Sequence, residues 1–490
     1  MYDLAIIGAG AIGSALAYTL SRYDLRIALI ERENDVAMGA TRANTAIIHA
    51  GYDPAPDTLM GQLNVEGTRL CYRLCEELDV EHRKTGSFVV AFDAEQRATL
   101  DVLYRYGIEN GCQGLEIING TEARRREPNL SEEIVAALWA PEAGVINPWE
   151  FTLAMAEVAV RNGVTFMPDS NVTGLSRHGD HYEITLTPTD SQSVSEETRT
   201  IRARYVVNAS GVESDHLHNM VAPPQFTIQP TRGEYFLLDR TVGPLVESVI
   251  FQCPGRNGKG VTVSPTIHDN FLIGPNSEVI DDRDNTAVTQ EGLCEIEFLA
   301  TQMLPSLDVR ASIRNFAGVR ANSARNDFFI EMSADHFLDL AAIKSPGLTC
   351  APAIARYAKD LLGEAGLPLN KKSDWWGGRK VIRFKDIPDD EREAFIRDNP
   401  LYGRVICRCE TITEGEIVAA MRREIPPVSI DGVKRRAGTG MGRCQSGFCG
   451  PRVLEILARE AGRSPLSIEE DASGSTILTG ETKKAGCSHA

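Results

Sequence analysis

The sequence lacks any apolar run approaching the ~20 residues that a membrane-spanning helix needs, and no signal-peptide pattern precedes its first apolar run. Positive charge is also scarce, because 51 Lys and Arg face 68 Asp and Glu, for a formal net charge of −17. This deficit argues against nucleic acid or an anionic membrane as a general partner, and an anionic substrate would need a local basic pocket. We therefore expect a cytoplasmic protein, with at most peripheral membrane association through a partner.

The first residues carry the pattern of a dinucleotide-binding unit. An apolar run over residues 4–7 leads into Gly8-x-Gly10-x-x-Gly13, a helical pattern, and a second apolar run that is followed by Glu31. Gly8 would allow the tight turn, Gly10 the close approach of a pyrophosphate, and Gly13 the close packing of helix on strand. Glu31 would accept hydrogen bonds from ribose hydroxyls. An acid at this position argues against a 2′-phosphate but does not separate FAD from NAD.

Eleven cysteines are present, and four of them form two close pairs, Cys407-x-Cys409 and Cys444-x4-Cys449. Without a secretion signal, disulfides are not expected, and a metal explains the group of four better. Four thiolates suit a [2Fe–2S] cluster or a zinc ion, although zinc sites more usually have two-residue gaps. Basic residues flank this motif at 434–436 and 443. They would raise the potential of a cluster, dock an acidic partner or simply be solvated.

The 490-residue chain is long enough for two or three domains, and its middle differs from its start. Residues 226–239 and 260–274 alternate apolar and polar side chains, which predicts antiparallel strands. Residues 337–343 form another apolar run, and residues 345–349 turn into a helical pattern over 351–365. The N-terminus of that helix would suit an anionic or electron-rich edge of a ligand.

Six segments carry a resemblance to a known family: the GAGAIG turn with Glu31, the NTAIIHAG stretch, and residues 205–211, 230–235, 316–320 and 343–354. Together they resemble the FAD-dependent oxidoreductases of the D-amino-acid oxidase and glycerol-3-phosphate dehydrogenase superfamily, over about residues 1–367. The likeness is greatest to the large subunits of anaerobic-type glycerol-3-phosphate dehydrogenases and to L-2-hydroxyglutarate oxidases. Residues 406–461, with all four clustered cysteines, resemble the bacterioferritin-associated-ferredoxin-like [2Fe–2S] domain.

The resemblance implies the fold class and both cofactors, FAD and a [2Fe–2S] cluster. The expected architecture is an α/β Rossmann-type FAD-binding domain with an inserted β-rich α+β substrate domain, followed by a small helical C-terminal [2Fe–2S] domain. The implied boundaries are 1–80, 150–225 and 336–367 for the FAD-binding domain, 81–149 and 226–335 for the substrate domain, 368–400 for a linker, 401–463 for the [2Fe–2S] domain, and 464–490 for a polar tail.

The resemblance also implies roles for individual residues. Arg320 would grip the anion of the substrate, and His49 would either take its proton or contact the flavin. Tyr235 and Lys344 are weaker candidates for substrate contact. The implied cluster ligands are Cys407, Cys409, Cys444 and Cys449. The implied FAD-binding residues are Gly8, Gly10, Ala11, Gly13, Glu31, Arg32, Thr41, Arg42, Asn44, Thr45, Val172, Gly211, Gly318, Gly347, Leu348 and Thr349.

The expected reaction follows from this resemblance. A small anionic 2-hydroxy compound, with sn-glycerol 3-phosphate favoured, would transfer a hydride to flavin N5. Electrons would then pass singly through the cluster to a partner subunit or a quinone-linked acceptor. Three alternatives stay open: an L-2-hydroxyglutarate dehydrogenase or oxidase, an amine or imino-acid dehydrogenase subunit, and a non-catalytic electron-transfer subunit.

Overall fold

The computed structural model describes residues 1–189, 197–255 and 260–482. Its first strands are β1 (Tyr2–Ile7), β2 (Ile27–Ile30), β3 (Ile47–Ile48), β4 (His82–Arg83), β5 (Ser87–Ala91), β6 (Glu116–Asn119), β7 (Ala136–Ala140), β8 (Gly144–Ile146), β9 (Thr165–Met167), β10 (Ser170–His178), β11 (His181–Pro188) and β12 (Arg199–Asn208). The later strands are β13 (Ile228–Leu238), β14 (Val249–Gln252), β15 (Thr262–Pro265), β16 (Phe271–Gly274), β17 (Glu278–Val279), β18 (Ser312–Ser323), β19 (Phe329–Ala334), β20 (Phe337–Ala341), β21 (Val405–Cys407) and β22 (Ile412–Thr413). The helices are α1 (Ala11–Leu20), α2 (Leu59–Glu77), α3 (Ala94–Asn110), α4 (Gly120–Arg126), α5 (Pro148–Arg161), α6 (Ser214–His218), α7 (Gln290–Met303), α8 (Gly347–Glu364), α9 (Asp389–Asp398), α10 (Glu414–Ala420), α11 (Ile430–Ala437) and α12 (Gly450–Ala461).

The first sheet carries the glycine turn and has the parallel core of a Rossmann-type fold. Its strands follow the order β10-β11-β12-β1-β2-β9, with β20 paired to β12 and β19 to β20. β1 runs parallel to β2 and β12, and β12 runs parallel to β20. Helix α1 packs against α5 and α8 over fully buried side chains such as Leu16 and Leu20. The domain boundary predicted at 335/336 falls between β19 and β20, which pair antiparallel in this sheet.

The second sheet is the predicted β-rich unit. Its order is β17-β13-β16-β15-β14-β5-β7-β6, with β18 paired to β13. β13 and β18 run antiparallel over most of their length, and their register places Arg320 opposite Thr231 and Tyr235 opposite Phe316. The apolar face of this sheet packs on α7, where Ile296 and Met303 are fully buried. This antiparallel strand pair therefore holds two of the predicted substrate residues, Tyr235 and Arg320, on one support.

The C-terminal unit is small and mainly helical. Thr413 and Glu416 form a capping box at the start of α10, and α12 begins directly after Cys449. The first part of the stretch predicted as a polar tail packs on this unit, because Ile468 and Glu469 are buried and Glu469 forms isolated β-bridges with Ser429 and Thr476. Residues 476–482 are exposed. Residues 483–490 of that predicted tail lie outside the described residues.

Candidate functional site

A cavity of about 2170 Å³ collects most of the predicted cofactor and substrate residues. It is lined on one side by the glycine turn and on another by β13 and β18. Of the residues predicted to contact FAD or substrate, Gly13 and Thr349 do not line this cavity. Those that do are Gly8, Gly10, Ala11, Glu31, Arg32, Thr41, Arg42, Asn44, Thr45, His49, Val172, Gly211, Tyr235, Gly318, Arg320, Lys344, Gly347 and Leu348.

The glycine turn presents bare backbone to this cavity. Gly8 has a φ of +103°, and a Cβ there would lie 2.4 Å from the Ala209 carbonyl oxygen. A Cβ on Gly13 would lie 1.9 Å from the Gly8 carbonyl oxygen, so this glycine allows α1 to pack on β1. A Cβ on Gly10 would approach the Thr41 hydroxyl at 3.3 Å on the side that lines the cavity. The turn therefore leaves room for a pyrophosphate at the N-terminus of α1, where the backbone N–H of Ala11 donates to the Thr41 hydroxyl at 3.0 Å.

Glu31 follows β2 and is held by backbone groups. Its Oε2 accepts from the Ala9 N–H at 2.7 Å, and its Oε1 accepts from the Glu33 N–H at 3.0 Å. Burial raises the pKa of Glu31 to about 7. Each carboxylate oxygen keeps a further lone pair, so the side chain can also accept hydrogen bonds from ribose hydroxyls. The chemistry of this donor set fits the adenosine end of FAD.

His49 is held in place by residues far away in the sequence. The backbone N–H of His49 donates to the Thr349 hydroxyl at 3.0 Å. Its backbone carbonyl accepts from the side-chain amide of Asn64 at 3.0 Å and from the hydroxyl of Thr68 at 2.6 Å. The ring Nε2 lies 3.2 Å from the Ser345 hydroxyl. Thr349, predicted as an FAD contact, thus supports the backbone of His49 from a fully buried position. Ser345 lies in the predicted turn but was not singled out, and no local pattern links it to His49.

Arg320 has a guanidinium that is only partly satisfied by the protein. Its Nη2 donates to the carbonyl oxygens of Asn276 at 2.7 Å and Arg232 at 3.3 Å. Its Nε is buried and has no hydrogen-bond partner among the described residues. Arg320 also lines the cavity, so the rest of its guanidinium can donate to an anion there. Asn276 had no sequence signal, because it acts through its backbone carbonyl.

Two further predicted substrate residues, Tyr235 and Lys344, line the same cavity as Arg320. Tyr235 stacks on Phe316 with ring centroids 4.8 Å apart, and burial raises its pKa, so it remains a neutral phenol. Lys344 places its Nζ 3.2 Å from the Asn326 side-chain oxygen. Both residues line the cavity, so Lys344 adds a second cationic side chain from the predicted substrate residues to its lining.

The four cysteines meet as two pairs. The Sγ atoms of Cys409 and Cys444 lie 3.6 Å apart. A hydrogen bond from the Cys449 thiol lowers the pKa of Cys407 to about 6. Within the described ranges no three His, Cys, Asp or Glu side chains converge on a single ion position. Two thiolates on each of two irons is the ligand pattern of a [2Fe–2S] cluster, so this donor set fits it better than one tetrahedral zinc.

Buried ion pairs join the cysteine-bearing unit to the first sheet. Asp35, 2% exposed, lies shortly after β2, and its carboxylate accepts from Arg435 at 3.1 Å and from Arg436 at 2.7 Å. Burial alone would raise the pKa of Asp35, but the two guanidiniums outweigh it and hold the pKa below its usual range. The basic run at 434–436 is therefore not solvated, and it docks within the chain rather than on a partner.

The segment after α12 reaches the same cavity. Asp471 accepts from Arg435 at 2.7 Å and forms an ion pair with Arg42, and its carbonyl accepts from the Asn34 side chain at 2.7 Å. Ala472 and Ser473, next to it, line the cavity. Residues from both ends of the chain thus meet beside the loop predicted to contact FAD.

Comparisons with known proteins match both parts of the chain. A family model for FAD dependent oxidoreductases matches residues 3–361, and one for the BFD-like [2Fe-2S] binding domain matches residues 405–459. The chain is 46% identical over 486 residues to a glycerol 3-phosphate dehydrogenase of Caloramator mitchellensis, covering 99% of each chain.

More distant relatives match the first part. The structure of an L-alpha-glycerophosphate oxidase from Mycoplasma pneumoniae with FAD bound is similar with a TM-score of 0.72 and 31% identity, over 78% of this chain and 99% of that one. The mitochondrial L-2-hydroxyglutarate dehydrogenase of Homo sapiens is 28% identical over 317 residues, which is 62% of this chain and 65% of that protein. Along the described residues, no helix is both long and apolar enough to cross a membrane.

Removing the carboxylate of Asp35 should loosen the C-terminal unit. Asp35→Ala leaves the buried guanidinium of Arg436 without a counter-charge and leaves Arg435 with Asp471 alone. Removing one partner of a buried ion pair costs roughly 3–5 kcal/mol. We expect a lower thermal unfolding midpoint and faster proteolysis within residues 368–400. Asp390→Ala, at an exposed position in α9, is the matched control. Equal stability of both variants would contradict a role for Asp35 in docking.

Removing one thiolate should remove the cluster alone. Cys444→Ser takes one ligand from the exposed pair, so iron and inorganic sulfide should be lost while the flavin absorbance stays. Cys294→Ser, at an exposed cysteine in α7, should keep both. Full iron content in Cys444→Ser would refute the ligand assignment.

Proposed function

The chain belongs to the family of FAD-dependent oxidoreductases, and we propose that it oxidises sn-glycerol 3-phosphate to the corresponding ketone. Membership makes the chain an FAD enzyme, as predicted, and the matched C-terminal domain makes it a [2Fe–2S] protein. The observation that carries the substrate proposal is the guanidinium of Arg320, a cation that lines the cavity with its Nη2 fixed by two backbone carbonyls. The full-length likeness to a glycerol 3-phosphate dehydrogenase supports the same substrate.

Arg320 would bind the phosphate of the substrate. Two backbone carbonyls orient its Nη2, so the guanidinium is held before the substrate arrives. Lys344 lines the same cavity and would share the second negative charge of a phosphate dianion. Both cations would supply the local positive charge that anion binding calls for in a chain with a net charge of −17.

His49 would take the proton of the substrate hydroxyl. Its backbone is held on both sides by hydrogen bonds, and its ring contacts the Ser345 hydroxyl and the Phe251 ring. An imidazole can accept a proton near neutral pH, and the Ser345 hydroxyl at 3.2 Å would orient it. Taking the proton from oxygen makes loss of hydride from the adjacent carbon easier.

When bound, FAD supplies the hydride acceptor, and the [2Fe–2S] cluster supplies a carrier of single electrons. The N-terminus of α8, at Gly347 and Leu348, lines the cavity. Its partial positive charge would favour negative charge on whatever ring edge lies against it. We propose that the two electrons of each substrate leave the protein one at a time through the C-terminal domain, to a separate acceptor.

A second substrate has a specific observation in its favour. The likeness to a human L-2-hydroxyglutarate dehydrogenase extends over 62% of this chain, and Arg320 could hold a carboxylate as well as a phosphate. That relative aligns with less of the chain than the glycerol 3-phosphate dehydrogenase does. We therefore rank L-2-hydroxyglutarate second.

The deciding experiment is an anaerobic absorbance titration of the holoenzyme. We expect sn-glycerol 3-phosphate to bleach the flavin band at stoichiometric amounts, and L-2-hydroxyglutarate to leave it unchanged. Bleaching by L-2-hydroxyglutarate alone would replace the substrate proposal. If neither compound bleached the flavin, the substrate proposal would be wrong, and an amine or imino acid would be the next substrate to test.

Truncation of Arg320 should separate substrate binding from cofactor binding. Arg320→Ala removes a charge-assisted hydrogen bond, so KM for sn-glycerol 3-phosphate should rise about 10- to 100-fold. FAD content should not change. Arg314→Ala, at an exposed arginine of the same strand, is the matched control and should leave KM unchanged. Loss of FAD from Arg320→Ala would show that this arginine serves the cofactor instead.

Replacement of His49 should slow the chemical step. His49→Gln keeps a polar side chain but removes the base, so anaerobic flavin reduction should slow by about 10²- to 10⁴-fold. Ser345→Ala, which only frees the imidazole ring, should have a smaller effect. Stopped-flow absorbance measures both rates. A change of less than about threefold in His49→Gln would leave His49 without the role of base.

A further inference from the structure

The C-terminal domain buries one pair of its cluster ligands and opens the other to solvent. Cys407 and Cys449 are each 1% exposed, whereas Cys444 is exposed and Cys409 is half-buried. The exposed pair is the one whose Sγ atoms lie 3.6 Å apart. Electron transfer between proteins needs a short path, so the side that bears Cys444 is where an electron acceptor can come near.

The surface around Cys444 has the composition of an interface rather than of ordinary solvated protein. Phe448, which directly precedes the ligand Cys449, is 60% exposed. Val405, at the start of β21, is 47% exposed. The guanidinium of Arg408 lies 4.9 Å from the centre of the Phe448 ring. Exposed aromatic residues next to arginines are typical of contact sites for other proteins. We call Val405, Arg408, Arg443, Cys444 and Phe448 the exit face.

Three ion pairs near the exit face expose the positive partner and bury the negative one. In each pair the arginine is the exposed member and the acid is the more buried one. The side-chain exposures are 70% and 6% for Arg443 and Asp239, 64% and 6% for Arg404 and Glu414, and 51% and 14% for Arg240 and Glu410. This face therefore presents positive charge outward, in a chain whose formal net charge is −17.

We propose that the exit face docks an acidic one-electron carrier protein. The inference rests on the proposed exit of electrons through the cluster, and it adds the surface and the charge of the partner. Oxidation of one substrate molecule releases two electrons and two protons. Two carrier molecules must each gain one electron, and the protons go to solvent. Opposite charge would speed the encounter, and Phe448 would supply the apolar contact at its centre.

The first test measures binding without turnover. Zinc-substituted rubredoxin, an acidic carrier that cannot change oxidation state, is titrated into the holoenzyme by calorimetry at low and high salt. We expect binding at low salt that weakens as salt screens the charges. Arg408→Glu and Arg443→Glu should each weaken it about tenfold. Arg105→Glu, at an exposed arginine of α3, makes the same change in net charge and should have little effect.

The second test distinguishes this proposal from the proposed function. Reduction of iron rubredoxin and of basic cytochrome c is followed with substrate present, together with bleaching of the flavin and iron content. Arg408→Glu should slow rubredoxin reduction about tenfold and speed cytochrome c reduction, while flavin bleaching and iron stay unchanged. The docking proposal would be overturned if Arg408→Glu and Arg443→Glu bound and reduced rubredoxin as the wild type does. It would also be overturned if Arg105→Glu weakened rubredoxin binding as much as they do. A flavin that does not bleach with any substrate would overturn the proposed function, and the calorimetric result would still decide the docking surface.

Discussion

The buried ion pairs at Asp35 are the contact on which the arrangement of the two cofactor sites depends. Asp35 lies on the loop that follows Glu31, the residue proposed for the ribose of FAD, and it is held by Arg435 and Arg436 of α11. Burying three charged groups is costly unless each is satisfied, so the three groups must stay together once the chain has folded. This contact makes the C-terminal domain a fixed part of the enzyme rather than a tethered module.

The linker reinforces the same junction. Arg379 is 4% exposed and donates to Glu157 at 2.8 Å, and Arg383 donates to Glu150 at 2.8 Å, so residues 368–400 attach to α5 instead of spanning open solvent. Asp471 adds a third attachment through Arg42 and Arg435. A rigid junction of this kind would keep a constant distance between flavin and cluster, which suits electron transfer better than a swinging domain does.

The active-site proposal depends on residues that meet only after folding. His49 lies near the start of the chain, and its ring and backbone are oriented by Ser345 and Thr349. Arg320 is aimed by the carbonyl of Asn276, a group that no side-chain pattern can reveal. The resemblance to a family named His49 and Arg320, but the hydrogen bonds that would orient them for their proposed roles come from tertiary contacts.

By itself the sequence determined the two-cofactor composition and the family, which the comparisons confirm, and it predicted the nucleotide-binding turn. The glycine spacing is a local feature, because it shapes a single turn. The cysteine spacings reveal the ligand set, but the paired thiolates, Cys407 with Cys449 and Cys409 with Cys444, come from different motifs and meet only after folding. Only the tertiary structure decided that the basic run at 434–436 is buried, with Arg435 and Arg436 paired to Asp35. It also decided that Cys444 is exposed to solvent whereas Cys407 is buried. The physical reason is that charge and burial depend on which distant segments pack together, and the order of residues along the chain does not state that.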